Sequence, residues 1–475
     1  MDLPALKAAY DPERLRREGH QIVDLLADYL AGLDRDAPVL PQRTPDEQLA
    51  RWPGEFPAQP QPEALLPLLS QVLRDSHHLH HPRYVGHQVT APVPLLALVE
   101  AVAALLNNGM AVYEMGPVST AMERQVLRYL AAQLGFADGA DGFLTSGGSA
   151  GNLTALLAAR QARAAVWEQG YSGPPLCVLA SEQSHYCVAR AVKIMGLGAG
   201  GIVPVPVDER FRLRAEALPE ALARAERAGR RAFCVVASAA STATGAYDPL
   251  PAIADFCQAH GLWLHVDGAH GAAAALSPRH RHLVDGVARA DSLVLDAHKM
   301  LLTPALCTAV LFRDGQDSFG AFAQRASYLL PEQSAWYDGA ARTLECTKRM
   351  MSLKLYLGLR VLGTQVFGDY VGACYDLAQR FAALLQAAPD FELALPPQCN
   401  IVCFRHRPPG PPGLDGEALD QHQAALRARV VASGAFYLVQ TRLPTGLFLR
   451  ATLINPLTEE ADLAALLDAL RAAAR

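Results

Sequence analysis

The sequence has no apolar run long enough to cross a bilayer. Its best candidate, Pro94 to Leu106, is interrupted by Glu100 and falls short of the roughly 20 residues that a spanning helix needs. There is no excess of basic charge either. Lys and Arg number 42 against 47 Asp and Glu, for a net charge of −5, which leaves no electrostatic footprint for nucleic acid. The opening Met1-Asp2-Leu3-Pro4 lacks the basic stretch and apolar run of a secretory signal. Nine cysteines, an odd number, are scattered without metal-type spacing, several inside apolar runs where Cys behaves as a small hydrophobe. A reduced, cytoplasmic protein that binds neither membrane nor nucleic acid nor metal is the simplest expectation. Internal repeats and low-complexity tails are missing as well.

What is present is enough chain, 475 residues, for one large and one small domain. Leu15 to Leu33 carries an apolar stripe at helical spacing, and a Pro-rich connector follows from Pro38 to Pro67. From about Gly142 to Asp314, short apolar runs alternate with helical ones. The candidate strands are Leu176–Ala180, Gly201–Val207, Ala232–Ala237, Leu262–Val266, Ser292–Leu295 and Thr308–Phe312, with helices such as Leu218–Arg227 and Leu250–His260 between them. That alternation predicts an α/β fold with a mostly parallel central sheet. After Glu345 the texture changes to a long helical region from Leu353 to Leu385. Strands near Ile401–Phe404, Phe436–Val439 and Phe448–Leu453 follow, then a terminal helix from near Thr458, which reads as a small α+β domain. The expected divisions are 1–80 for a helical segment and arm, 81–345 for the large domain and 346–475 for the small one.

Two residues organise the chain. Asp267 ends the apolar run Leu262-Trp263-Leu264-His265-Val266, and Lys299 follows Ser292-Leu293-Val294-Leu295 by a few residues. In an open parallel sheet the carboxyl ends of strands form the ligand crevice. An acid and a lysine there suit pyridoxal 5'-phosphate (PLP): the lysine forms a Schiff base and the acid keeps the pyridine nitrogen protonated. Such a pair is common at strand ends, so its neighbours decide the matter. Thr145-Ser146-Gly147-Gly148-Ser149 opens a helical run, and a Gly/Ser turn at a positive helix end is a phosphate cradle without the spacing of a P-loop. His185 follows one candidate strand, offering a flat ring, and Ser241-Thr242 follow another with hydroxyls. His77-His78-Leu79-His80-His81 looks metal-binding at first, but no acid or Cys cluster accompanies it, so a loop or helix end is expected.

This ordered set resembles the group II PLP-dependent amino acid decarboxylases, which include glutamate, aromatic-amino-acid and 2,4-diaminobutyrate enzymes. The resemblance runs from about His81 to the C-terminus. It implies the PLP-dependent transferase fold type I (aspartate aminotransferase-like), and decarboxylation of an L-amino acid to its amine and CO2. It further implies Lys299 as the Schiff-base lysine, Asp267 at the pyridine nitrogen, and His185 and Ala269 on the two ring faces. Gly148, Ser149 and Ser292 would hold the phosphate with His298 close by, and Thr242 would sit near the ring. Arg450 matches the arginine that meets a substrate carboxylate. Tyr337, on a lid-like stretch from about Ser327 to Arg342, would reprotonate Cα, with Tyr328 as runner-up. A homodimer is expected, the N-terminal helix and arm wrapping the partner, because a monomer would leave that helix's apolar face exposed. Two departures stand out. Asp296-Ala297 replaces the Asn-Pro that often precedes His-Lys, placing an acid near a phosphate, and Ala240-Ser241-Thr242 replaces Gly-Thr-Thr. His87 and Tyr113 fall where relatives vary with substrate. His87 resembles the diaminobutyrate and aspartate branches, whereas Tyr113-Glu114 resembles the glutamate branch, so the substrate is left open among acidic, diamino and aromatic amino acids. The alternatives are another fold type I lyase or an aminotransferase, and a non-catalytic ligand-binding protein on the same fold.

Overall fold

In the computed structural model, which describes residues 4–52, 54–322, 335–408 and 413–475, the alternating apolar runs form a seven-stranded sheet. Its strands are β1 (Asp141–Thr145), β2 (Leu176–Ser181), β3 (Ile202–Val205), β4 (Arg231–Ser238), β5 (Trp263–Asp267), β6 (Ser292–Asp296) and β7 (Thr308–Phe312). They lie in the order β1-β7-β6-β5-β4-β2-β3. The pairs β3–β2, β2–β4, β4–β5 and β5–β6 are parallel, and β7 runs antiparallel to both β6 and β1. This is the expected mostly parallel α/β sheet. Two antiparallel contacts through β7 leave β1 pointing the same way as β4 to β6. The carboxyl ends of β1, β2, β4, β5 and β6 therefore meet at one edge.

Near-continuous apolar composition follows from burial on both faces. β5, β6 and β7 are buried at every position. The helix Gly148–Ala164 lays Ala155, Leu156, Ala158 and Ala159 on the sheet in one cluster with Val236, Val294 and Val310. Burying each large apolar side chain contributes about 1.5–3 kcal/mol, which holds the helix on the sheet and its first turn at the sheet edge. Gly151 is required by this approach, because a Cβ there would come within 2.9 Å of Val294 and 3.1 Å of Val310.

The chain divides into two compact units. The larger comprises Gln88–Ala383 and Leu395–Cys403, and the smaller Met1–His87, Leu384–Ala394 and Phe404–Arg475. A second sheet of four strands is ordered β10-β11-β9-β8, from β8 (Phe391–Leu393), β9 (Ile401–His406), β10 (Val439–Leu443) and β11 (Gly446–Thr452), and all of it but Ile401–Cys403 of β9 belongs to the smaller unit. The helix Gly416–Ala432 packs on β11.

Several elements differ from the sequence reading. β1 was not anticipated. The Pro-rich connector contains two helices, Pro45–Ala50, closed by a Thr44/Glu47 capping box, and Leu65–Asp75. Proline at the first helical turn sacrifices no hydrogen bond, so it starts helices as well as breaking them. The expected strand at Phe436–Val439 begins instead at Val439, because Tyr437 forms an isolated bridge to Tyr84. The long helical region breaks at Gly363, φ 81°, into Met351–Leu362 and Thr364–Ala387. The histidine run lies just past the helix Leu65–Asp75, where His78 Nδ1 meets Tyr29 Oη at 3.0 Å.

Candidate active site

At the sheet edge the larger unit encloses a cavity of about 290 Å³ lined by Gly148, Ser149, His185, Thr242, Asp267, Ala269, His298 and Lys299, with Asn152, Cys187 and Asp296 among its further walls. Sequence reasoning had named the first eight, and the topology brings them together from five separate segments.

Lys299 stands on a single helical turn, Ala297–Met300, that begins directly after β6. Three residues' separation puts Asp296 and Lys299 on the same side of that turn. Lys299 Nζ pairs with Asp296 Oδ2 at 2.9 Å. Burial disfavours the ammonium, but Asp296 first and then Asp267 overcome it and raise the lysine's pKa. Asp267 ends β5, buried, and takes a hydrogen bond from the Ala269 N–H at 3.2 Å. Burial lifts its pKa, opposed by the nearby charges of Lys299 and His185. His185 caps the helix Tyr186–Ile194, its Nδ1 accepting the Cys187 N–H at 3.3 Å, and burial lowers its pKa. Gly147, at φ 116°, turns the chain from β1 into the helix Gly148–Ala164, whose first N–H groups face the cavity edge.

Ser292 lies elsewhere. Its hydroxyl is fully buried and receives the Trp263 indole N–H at 2.8 Å, and His265 Nδ1 lies 2.9 Å away. The β5–β6 register sets His265 directly opposite Ser292. His265 Nε2 in turn meets Asn152 Oδ1 at 2.7 Å, and Asn152 Nδ2 donates to the Gly148 carbonyl at 2.9 Å. An amide oxygen only accepts, so Nε2 carries the proton and Nδ1 accepts from Ser292. This chain of bonds ties the cradle to the middle of the sheet. Asn152, Cys187 and Asp296 were not given roles from sequence. Asn152, one turn into the helix that the cradle opens, was the most findable of the three.

His298 Nδ1 sits 2.9 Å from the Cys307 carbonyl, with its other nitrogen 3.8 Å from Asp296. Tyr337 and Tyr113 lie against each other, ring centroids 5.6 Å apart, and neither lines the Lys299 cavity. Tyr328 falls outside the described residues. His87 and Arg450 belong to the smaller unit. There His87 lies 5.8 Å from the Tyr437 ring, its pKa lowered by burial, then by Arg450 and Arg427.

The donor set fits PLP. It has an amine for the aldehyde, a buried acid with a raised pKa for the ring nitrogen, a flat imidazole and a small methyl for the faces, and a helix N-terminus for the phosphate. At Gly148 the cradle is tight, since a Cβ would lie 3.0 Å from an Asp296 carboxylate oxygen, with Ala269 in ordinary contact at 3.5 Å.

Residues 45–407 match the pyridoxal-dependent decarboxylase conserved domain. Human cysteine sulfinic acid decarboxylase is 34% identical over 413 residues, 84% of this chain and 83% of that protein. The aromatic-L-amino-acid decarboxylase of Bacillus atrophaeus is 31% identical over 472 residues, 97% of this chain and 96% of its own. The crystal structure of mouse CSAD superposes with a TM-score of 0.92 at 29% identity, covering 98% of this chain and all of that one.

Proposed function

This chain belongs to the pyridoxal-dependent decarboxylase family and is a PLP-dependent amino acid decarboxylase, and from that premise we propose how its own residues divide the work. The observation that carries the assignment is the meeting of Lys299, Asp267, His185 and the Gly148–Ser149 turn around one cavity. PLP, when bound, supplies an aldehyde that captures amines and a ring that accepts the electron pair left as a carboxylate departs.

Lys299 tethers the cofactor. Asp267 holds a proton at the ring nitrogen, and its burial keeps water from competing for it. His185 and Ala269, which line the same cavity, would hold the cofactor's ring from its two faces. Gly148 and Ser149 take the phosphate at the positive end of their helix, with His298 beside them and Thr242 near the ring. Ser292 serves through His265 and Asn152 as a support of that cradle. Arg450 receives the substrate's α-carboxylate through its planar fork, His87 and Tyr113 contact the substrate side chain, and Tyr337 returns a proton to Cα.

A homodimer in the cytoplasm completes the reading. The helix Pro94–Leu106 supports it: Leu98, Val102 and Leu105 are 40%, 52% and 75% exposed on an almost wholly apolar helix. An apolar face of that kind is characteristic of an interface. The divisions at 81 and 346 stand as proposed functional boundaries between arm, cofactor-binding and small domains.

The relatives act on chemically different amino acids, as their names say, so the substrate is settled by experiment. The holoenzyme incubated with L-Glu, L-Asp, cysteine sulfinate, 2,4-diaminobutyrate, ornithine, lysine, histidine and aromatic amino acids is expected to release CO2 and one amine, identified by mass. A keto acid in place of CO2 would make it an aminotransferase. Turnover by Lys299→Ala at the wild-type rate would falsify the assignment of Lys299.

A further inference from the structure

We infer that Asp296 is a positioning residue for cofactor loading: it holds the Lys299 ammonium before the cofactor arrives, and one proton enters its carboxylate when the cofactor's phosphate does. The inference rests on the reading of Gly148–Ser149 as the phosphate cradle.

Asp296 is the last residue of β6 and only 3% exposed. One carboxylate oxygen accepts the Thr308 hydroxyl at 2.5 Å, and the other meets Lys299 Nζ at 2.9 Å and His298 Nε2 at 3.8 Å. Both oxygens abut the cradle, 3.0 and 3.2 Å from where a Cβ on Gly148 would stand. Charged and polar groups face it from four elements. Lys299 and His298 lie on its own turn, Cys307 and Thr308 at the start of β7, Asp267 at the end of β5, and His185 with Cys187 at the start of the helix Tyr186–Ile194. Two carboxylates thus share one ammonium in a buried space.

A phosphate brings further negative charge to the edge where Asp296 already stands. Capture of the aldehyde by Lys299 forms a carbon–nitrogen bond and expels the aldehyde oxygen as water. The positive charge stays on nitrogen, so this step takes no proton from solvent. It does leave that nitrogen one N–H where the ammonium had three, which weakens its hold on Asp296. Burial alone raises the Asp296 carboxyl, and Lys299, then His298 and Thr308, bring it below its ordinary value. With Lys299 engaged by the cofactor, burial and the phosphate act in the same direction, and a proton is the counter-charge that solvent can supply. A neutral side chain at position 296 would need none.

The test is proton uptake. The full chain, stripped of cofactor, is titrated with PLP by calorimetry in buffers of different ionisation enthalpy between pH 6 and 9, beside Asp296→Asn. The wild type is expected to take up one proton more per PLP than the variant. Its affinity relative to the variant should fall by about tenfold per pH unit on the alkaline side. Pyridoxal, which keeps the aldehyde but lacks the phosphate, should show a smaller difference between the two proteins. Thr308→Val guards against a variant that folds poorly: loss of the hydroxyl donor should move the wild-type uptake window to higher pH. Equal proton counts with PLP, or the same difference with pyridoxal, would overturn the inference. If neither protein bound PLP, the reading of the cavity as the cofactor site would fall first and the inference with it.

Discussion

At the scale of single residues, the site depends on histidines kept neutral. His265 is wholly buried between Ser292 and Asn152, and burial lowers its pKa to about 4 from an ordinary 6.5. Between those values the unfolded chain binds a proton that the folded protein refuses. The neutral ring's contribution is therefore complete above pH 6.5 and is lost as pH falls towards 4, at up to about 1.4 kcal/mol per pH unit. In His265→Gln, urea midpoints measured from pH 7 to 4.5 should fall less steeply with acid than in the wild type, although the variant starts lower. His77, in the smaller unit, is also held at about 4 and should leave part of the acid slope in place. Residue types at strand ends were readable from sequence because charge at the close of an apolar run is conspicuous. The direction of the Ser292 hydroxyl was not, because it is set by the neighbouring strand's register, which places His265 opposite it. The pairing of Asp296 was equally hidden, although the sequence does show that an acid stands there.

At the scale of elements, β1 is held by an ion pair on its open side. Glu123 accepts the Leu144 N–H at 3.0 Å, Lys348 donates to the Leu144 carbonyl at 2.9 Å, and the two side chains pair at 2.6 Å. One residue further on, Glu345 accepts both the Thr145 and Ser146 hydroxyls, at 2.9 and 2.7 Å. The segment after Tyr337 thereby fixes the strand that delivers the phosphate turn. Lys348→Met should cost about 3–5 kcal/mol, because it strands a buried carboxylate, and denaturant melts would show it alongside weakened PLP binding. A loss below 1 kcal/mol would mean that β1 holds its place without the pair. β1 escaped the sequence reading because it opens with Asp141-Gly142, both poor strand formers. Gly142 is explained only by β7, whose Val310 carbonyl occupies the place of a Cβ. The helix Pro94–Leu106 was legible as apolar, and its exposure is what the structure adds. Val102→Asp with Leu105→Glu should halve the mass measured by light scattering at micromolar concentration, and an unchanged mass would put the dimer interface elsewhere.

At the scale of the whole molecule, sequence and structure agree where an element's identity is written locally and diverge where it depends on a partner. Strands β2 and β4 to β7 were found within a residue or two of their bounds, and Leu218–Arg227 and Leu250–His260 match their helices. The substrate clues at His87, in the smaller unit, and Tyr113, in the larger, stay in conflict because each resembles a different substrate branch. That division has a consequence for the cofactor. Among the described residues, those that line the Lys299 cavity belong to the larger unit, drawn from the ends of β1, β2, β4, β5 and β6, with Leu306 from the segment before β7. A ligand stabilises what it binds by an amount that grows with the logarithm of its concentration over Kd, about 2.7 kcal/mol at a hundredfold excess. Local openings that break the cavity lose this stabilisation, and openings elsewhere do not feel it. Saturation with PLP should therefore slow amide hydrogen exchange in residues 144–152, 185–188, 239–242, 266–270 and 296–300. Exchange in β8, β10 and β11 should stay at the cofactor-free rate under conditions where it proceeds by local opening. Equal slowing of both sheets would mean that the two units open as a single cooperative body, and slowing confined to the small sheet would place the cofactor outside the cavity built around Lys299.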